Sequence, residues 1–288
     1  MSKFVAVGHN GLRVTSADGV TWDKPQVGKE GETYRAVAYG NGAFAAVGGF
    51  GWGDQLMAVS PDDGATWRVS VKTKQTNYRS VVFGNGKFLA MAGDPAQVGD
   101  ARPVVATSTD GATWTDAKRI SGKWLIRRIV YGNGTFAGVG DRGRRSVSPD
   151  GLEWKDAPDM KPVDTLADIA FGNGVFVGVG MHGLRTSSRD GLKWSPGQIG
   201  KEGEHLNSVV FTGGKFVAVG LGATWTSPDG EKWERTPNTN APLSCVVGGG
   251  AFIGTAWRGR ILRSTDAVAW TEVAKCPHHI ECVVFGGK

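Results

Sequence analysis

Seven tryptophans recur along this chain at intervals of 37 to 47 residues: Trp22, Trp67, Trp114, Trp154, Trp194, Trp233 and Trp270. A period of that size marks a small structural unit that cannot bury its own apolar face, so copies must stack or close into a ring. Each tryptophan ends the same phrase, SADGVTW, SPDDGATW, STDGATW, SPDGLEW, SRDGLKW, SPDGEKW and STDAVAW, at residues 16–22, 60–67, 108–114, 148–154, 188–194, 227–233 and 264–270. A second phrase precedes most of them, AYGNGAFAAVG, VFGNGKFLAMAG, VYGNGTFAGVG, AFGNGVFVGVG, VFTGGKFVAVG and VGGGAFIGTA.

The unit reads as apolar strand, Asn-Gly turn, apolar strand, variable loop, short strand, Ser-x-Asp-Gly turn and tryptophan strand. Asn-Gly between apolar runs specifies a tight hairpin, because both residues tolerate positive φ. In the second turn the Asp carboxylate accepts backbone N–H bonds and Gly supplies the left-handed residue. Four strands in about 40 residues make one blade of a β-propeller. The 45 glycines, with 40% hydrophobic residues and no Gly-X-Y period, suit many short strands and exclude collagen and disorder.

The two ends of the chain complement each other. Residues 4–22 supply three strands and lack the first, while residues 280–288 match that first strand alone. The expected fold is therefore all-β: one seven-bladed propeller over residues 1–288, with four-stranded antiparallel blades, closed by pairing of the C-terminal strand with Phe4-Val5-Ala6-Val7-Gly8.

The phrase Ser60-Pro61-Asp62-Asp63-Gly64-Ala65-Thr66-Trp67 resembles the bacterial-neuraminidase or Asp-box repeat of the sialidase superfamily. The other six are similar to it with one turn residue deleted, and Ala267 replaces Gly in the last. The repeat pattern is similar to the propellers of sialidases, sortilin-type receptors, some xyloglucan-active glycosidases and photosystem assembly factors. That resemblance implies the fold, since Asp-box turns are structural, and it names no activity.

With strands A to D running from axis to rim, the short repeated turns share one face and variation falls on the other. The B–C loops, with residues 50–56 and 94–102 the longest, and the D–A connections make that face the expected binding side. Aligning the A strands on their closing aromatic gives two rows at the channel mouth. The upper row reads Arg35, Arg79, Arg127, Ala167, Asn207, Ser244, Glu281, and the lower row Ala36, Ser80, Arg128, Asp168, Ser208, Cys245, Cys282. One side of the mouth is basic, with Arg142, Arg144 and Arg145 extending it. Such arginines can clamp a carboxylate, sulfate or phosphate, or they can pair with Asp94, Asp141, Asp168 and Glu281.

Sialidases hold a substrate carboxylate with an arginine triad, so the resemblance makes Arg35, Arg79 and Arg127 comparable. This chain lacks the family's Arg-Ile-Pro motif, Arg128-Ile129-Val130 being nearest, and has seven blades rather than six. Tyr34 or Tyr78 as nucleophile, with Asp168 or Glu281 as acid or base, would be the catalytic set; the packing reading of both tyrosines stands beside it. Trp52, Trp124, Trp225 and Trp257 lie outside the repeat, and Trp52, Trp124 and Trp257 are placed to stack on a ligand or to cap sheet ends. His9, His182, His205, His278 and His279 are loop residues, His182 being the one included in the binding surface. No third ligand accompanies His278-His279 at metal-site spacing. Residues 26–32 recur nearly unchanged as 198–204, and Gly11-Leu12-Arg13 as Gly183-Leu184-Arg185. Duplication or a repeated ligand pocket explains that.

The formal charge of +6 favours acidic partners, but 33 basic against 27 acidic residues, without aromatic-basic alternation, argues against nucleic acid. Cys245, Cys276 and Cys282 lack CxxC spacing and read as reduced thiols. No apolar run approaches a membrane span, and the chain as given reads as a cytoplasmic monomer without cofactors. The leading functional expectation is a non-catalytic recognition propeller for an acidic glycan, peptide or protein surface. The alternatives are a glycosidase or lyase acting on an acidic sugar, and an assembly scaffold.

Overall fold

The computed structural model describes residues 2–51, 54–93, 102–158, 165–200 and 203–287. Their strands form seven antiparallel sheets arranged as a seven-bladed propeller. From blade 1 to blade 7 the innermost strands are Ile280–Gly286, Glu32–Gly40, Tyr78–Gly84, Ile126–Gly132, Leu166–Gly172, Leu206–Thr212 and Ser244–Gly248. The C-terminal strand Ile280–Gly286 pairs with Lys3–Gly8, with Phe285 opposite Phe4, and closes the ring as expected. No helix among the described residues is long and apolar enough to cross a membrane.

Second strands such as Val175–Gly180 and Ala251–Ala256 are buried at every residue, because each sheet is covered on both faces by its neighbours. The repeat tryptophans fill the spaces between blades: Trp114 packs with Ala45 and Met57 of blade 2 and Phe88 of blade 3. Asn41/Gly42, Asn85/Gly86, Asn133/Gly134 and Asn173/Gly174 all have positive φ at both residues, which is the expected hairpin geometry. The asparagines do more than tolerate that φ. Asn133 Nδ2 donates to the carbonyls of Gly174 and Arg189 in the next blade, and Asn41 Nδ2 likewise to Gly86 and Thr109.

In the second turn the serine and aspartate divide the work. Gly111 N–H donates to Ser108 Oγ at 2.9 Å inside the protein, while Asp110 Oδ1 accepts from Ala112 and Thr113 N–H at 2.8 Å at the surface. Trp114 Nε1 then donates to Gly111 O. The same bonds recur around Asp150, Asp190 and Asp229.

Two blades depart from the expected four regular strands. In blades 1 and 5 the outermost segment is reduced to single bridges, Arg13 with Gln26 and Arg185 with Gln198. Pro25 and Pro196 interrupt those segments, and proline has no N–H to give a ladder. The near-identical loops that follow lock onto the adjacent turns. Gly28 N–H donates to Asn10 O and Gly200 N–H to His182 O, and a Cβ on Gly11 or Gly183 would lie 2.7 or 2.9 Å from the Cα of Gly28 or Gly200. The recurrence of these glycines thus has a packing cause.

Candidate functional site

The channel mouth is shaped by a bulge repeated in six blades. The pairing register slips between Tyr34 and Ala36, Tyr78 and Ser80, Ile126 and Arg128, Leu166 and Asp168, Leu206 and Ser208, and Ile280 and Cys282. The extra residues are Arg35, Arg79, Arg127, Ala167, Asn207 and Glu281, all of the upper row. A bulge bends its strand and re-aims the unpaired side chain. The signal was present in the sequence as the glycine ending each AVG phrase. A Cβ on Gly8, Gly48, Gly140, Gly180 or Gly220 would lie 1.8 to 2.1 Å from the carbonyl oxygen that precedes the bulge.

Blade 7 has no such slip, and its register corrects the sequence alignment. Val247 faces Phe252 as Phe211 faces Phe216, so Ser244 belongs to the lower row beside Ser208. Cys245 falls one place further, into the buried packing between blades 6 and 7. Alignment on a closing aromatic failed there because valine occupies that position.

The arginines reach residues of the loop-rich face. Arg35 Nε donates to Asn77 Oδ1 at 3.1 Å, and its Nη1 lies 3.5 Å from Glu281 Oε1. Arg127 Nε bonds Asp141 Oδ1 and keeps 45% of its side chain exposed. Arg79 Nε donates to Gly93 O at 3.4 Å. Arg128 Nη1 donates to the carbonyls of Arg79 and Arg127 at 3.2 Å.

In the lower row Asp168 and Ser208 each grip the next blade, while Arg128 reaches back to Arg79 of the preceding one. Asp168 Oδ2 accepts from Val209 N–H at 2.9 Å and Ser208 Oγ at 3.0 Å, and Ser208 Oγ accepts from Cys245 N–H at 3.2 Å. Burial raises the Asp168 carboxyl above its ordinary range, opposed by Arg128 and by these hydrogen bonds. Burial likewise raises the Cys282 thiol, opposed by Arg128.

Beside the basic side stands a strip not read from the sequence. His9 Nε2 lies 2.8 Å from Glu281 Oε1, His9 packs edge-on to His279 with ring centres 5.2 Å apart, and Trp257 stacks on His279 at 5.1 Å. Arg35 continues the strip through Glu281. Its members come from blades 7, 1 and 2, and chain closure alone brings them together.

The other candidates separate. Arg142 lies over Trp124, 4.7 Å from the ring centre, on the loop-rich face. Arg144 and Arg145, expected beside it, are buried: Arg144 reaches Asp156, Ser121 and Trp124 inside blade 4, so neither extends the basic surface. His182 lies against His205: its backbone N–H donates to His205 Nδ1 at 3.1 Å and the two ring centres are 5.4 Å apart. Tyr34 and Tyr78 are fully buried, and burial pushes both phenols well above their ordinary value, which is the signature of packing. Trp52 and Asp94 lie outside the described residues. On the opposite face, a groove of about 510 Å³ between blades 5 and 6 is lined by Asp190, Asp229 and neighbours that the turns already use.

No family model and no curated protein matches the chain. Among solved structures, one described as "YCF48 bound to D1 peptide" is similar, with a TM-score of 0.58 and 16% identity over 84% of this chain and 81% of that one. At that identity the likeness speaks for the propeller fold alone.

Proposed function

We propose that this chain is a non-catalytic recognition propeller that binds an acidic peptide or protein surface across its loop-rich face. The observation that carries this reading is the placing of Arg35, Arg79 and Arg127 on the bulges of three consecutive blades, with Arg128 beneath them. A sevenfold repeat gives no structural reason for three charged bulges side by side. Arginine forks recognise carboxylates through paired charge-assisted bonds. The similar solved propeller, described as bound to a peptide, supports a peptide over a glycan as the acidic partner. The repeated Ser, Asp and Trp bonds of the turns support placing the chain among Asp-box propellers. In this reading the chain works as one domain, and the catalytic candidates have other duties: Tyr34 packs, Asp168 holds blade 6, and Glu281 is engaged by His9 and Arg35.

The test is fluorescence titration of a labelled Asp/Glu-rich peptide against the wild type and the double variant Arg79→Ala, Arg127→Ala. Loss of two charge-assisted contacts is expected to weaken binding by about 2 kcal/mol or more, while the melting temperature holds. Undiminished affinity in the folded double variant would contradict the reading, as would turnover of any acidic glycoside in a panel.

A further inference from the structure

The loop-rich face divides into two halves of different chemistry. In blades 1, 4, 5 and 7 the B–C connection is the same short turn, with a left-handed residue second and glycine third: His9-Asn10-Gly11, Asp141-Arg142-Gly143, Met181-His182-Gly183 and Trp257-Arg258-Gly259. Identical backbone therefore presents four different first residues. Blade 6 has a shorter link carrying Leu221. In blades 5, 6 and 7 the presented residues are Met181, Leu221 and Trp257, exposed by 40, 74 and 66%. Ile199, in the connection leaving blade 5, is exposed beside them.

The bulge row changes character at the same boundary. Blades 2 to 4 carry Arg35, Arg79 and Arg127 there, whereas blades 5 and 6 carry Ala167 and Asn207, and Leu243 precedes the blade 7 strand. The bulge row thus goes from charged in blades 2 to 4 to uncharged in blades 5 and 6, the blades whose turns present Met181 and Leu221. Isolated exposed apolar residues are ordinary, but here three stand at the turn tips of three successive blades on one face.

We infer that Met181, Leu221 and Trp257 are the apolar half of a two-part peptide site, and that the partner is an extended segment in which apolar side chains run into an acidic stretch. The inference rests on the recognition reading above and specifies its ligand. Charge complementarity fixes the direction, with the acidic end over blades 2 to 4 and the apolar end over blades 5 to 7. An anionic lipid surface fits less well, because Glu281 and Asp141 stand among the arginines and break the broad positive field that such a surface requires.

Three short labelled peptides test it: one with a Leu/Trp block followed by an Asp/Glu block, one uniformly Asp/Glu-rich, and one with the Leu/Trp block followed by Lys. The first is expected to bind about tenfold more tightly than the second, and the third not measurably, since burying one or two apolar side chains is worth at least that factor. Met181→Ser with Leu221→Ser should erase the tenfold difference and leave the uniformly acidic peptide's affinity unchanged, with melting temperature confirming the fold. Equal binding of the first two peptides by the wild type would overturn the inference and leave the recognition reading standing. Failure of both acidic peptides to bind would overturn that reading and the inference with it. Cosedimentation with phosphatidylserine vesicles that is lost in the Met181→Ser, Leu221→Ser variant would replace the peptide with a membrane surface.

Discussion

Tyr39, the closing aromatic of blade 2, lies directly on Gly286 of the C-terminal strand, where a Cβ would stand 2.5 Å from the tyrosine Cβ and Cγ. Gly40 receives Phe83, Gly84 receives Tyr131, Gly132 receives Phe171, and Gly172 receives Phe211 in the same way. The joint between blade 1, whose innermost strand is the C-terminal one, and blade 2 is thus built like the others. At the blade 6 to blade 7 joint the pattern inverts, with Thr212 in the glycine place and Val247 in the aromatic place.

Gly286→Val is expected to destabilise the protein by about 2 kcal/mol or more, because the packed ring leaves no room for the added carbons. Deletion of residues 280–288 should expose the edge of Lys3–Gly8 and cause aggregation. Urea denaturation and size-exclusion chromatography check both, and a monomeric truncation with unchanged melting would contradict the role of closure.

In the repeated turns the serine should matter more than the aspartate. Ser148 is buried and holds the buried Gly151 N–H at 2.8 Å, so Ser148→Ala strands a donor and should cost about 1–3 kcal/mol. The N–H groups of Leu152 and Glu153 bonded to Asp150 lie nearer the surface, where water can replace the carboxylate, and Asp150→Ala should cost about 1 kcal/mol. Equal losses, or a larger loss at Asp150, would reverse that ranking.

Backbone N–H bonds hold Asp110, Asp150, Asp190 and Asp229 below the ordinary aspartate value of 3.8. A carboxyl whose folded pKa is depressed contributes stability above its unfolded value and loses it as pH falls through the folded one. The contribution of these turns is therefore expected to be full above about pH 4 and to be lost as pH falls further, with Asp150→Asn shallowing the acid limb of the melting temperature. An acid limb identical in wild type and variant would remove these turns as its cause.

Two arginines two residues apart should differ several-fold in what their removal costs. Arg144 is fully buried, and burial lowers its pKa against the opposing pull of Asp156; Arg144→Ala removes the cation from Asp156, which keeps Ser146 Oγ, and the donors from two carbonyls, and should cost about 3–5 kcal/mol. Arg142 rests on Trp124, and Arg142→Ala should cost about 0.5–1 kcal/mol. Denaturation midpoints distinguish them.

The sequence by itself determined the repeat count, the hairpin turns, the serine-aspartate turns and the closure by complementary ends. Those features are local or periodic: Asn-Gly needs only its own φ preference, and a missing strand is visible as a missing phrase. It also placed Arg35, Arg79 and Arg127 on consecutive blades, since repeats can be aligned by eye. Burial of Arg144 could not be read, because Arg142, Arg144 and Arg145 share one loop and only packing decides which turns inward. The shift of Ser244 and Cys245 was hidden for a related reason, since Val247 gives no aromatic to align on and register is set by cross-strand pairing. The outer segments of blades 1 and 5 lose their strand to proline, yet the tryptophan phrase before them is unaltered. Only the tertiary structure joins Trp257, His279, His9, Glu281 and Arg35, because residues from both chain ends meet when the ring closes. Contacts made by closure carry no sequence periodicity, so the strip on the site side was invisible while the scaffold beneath it was plain.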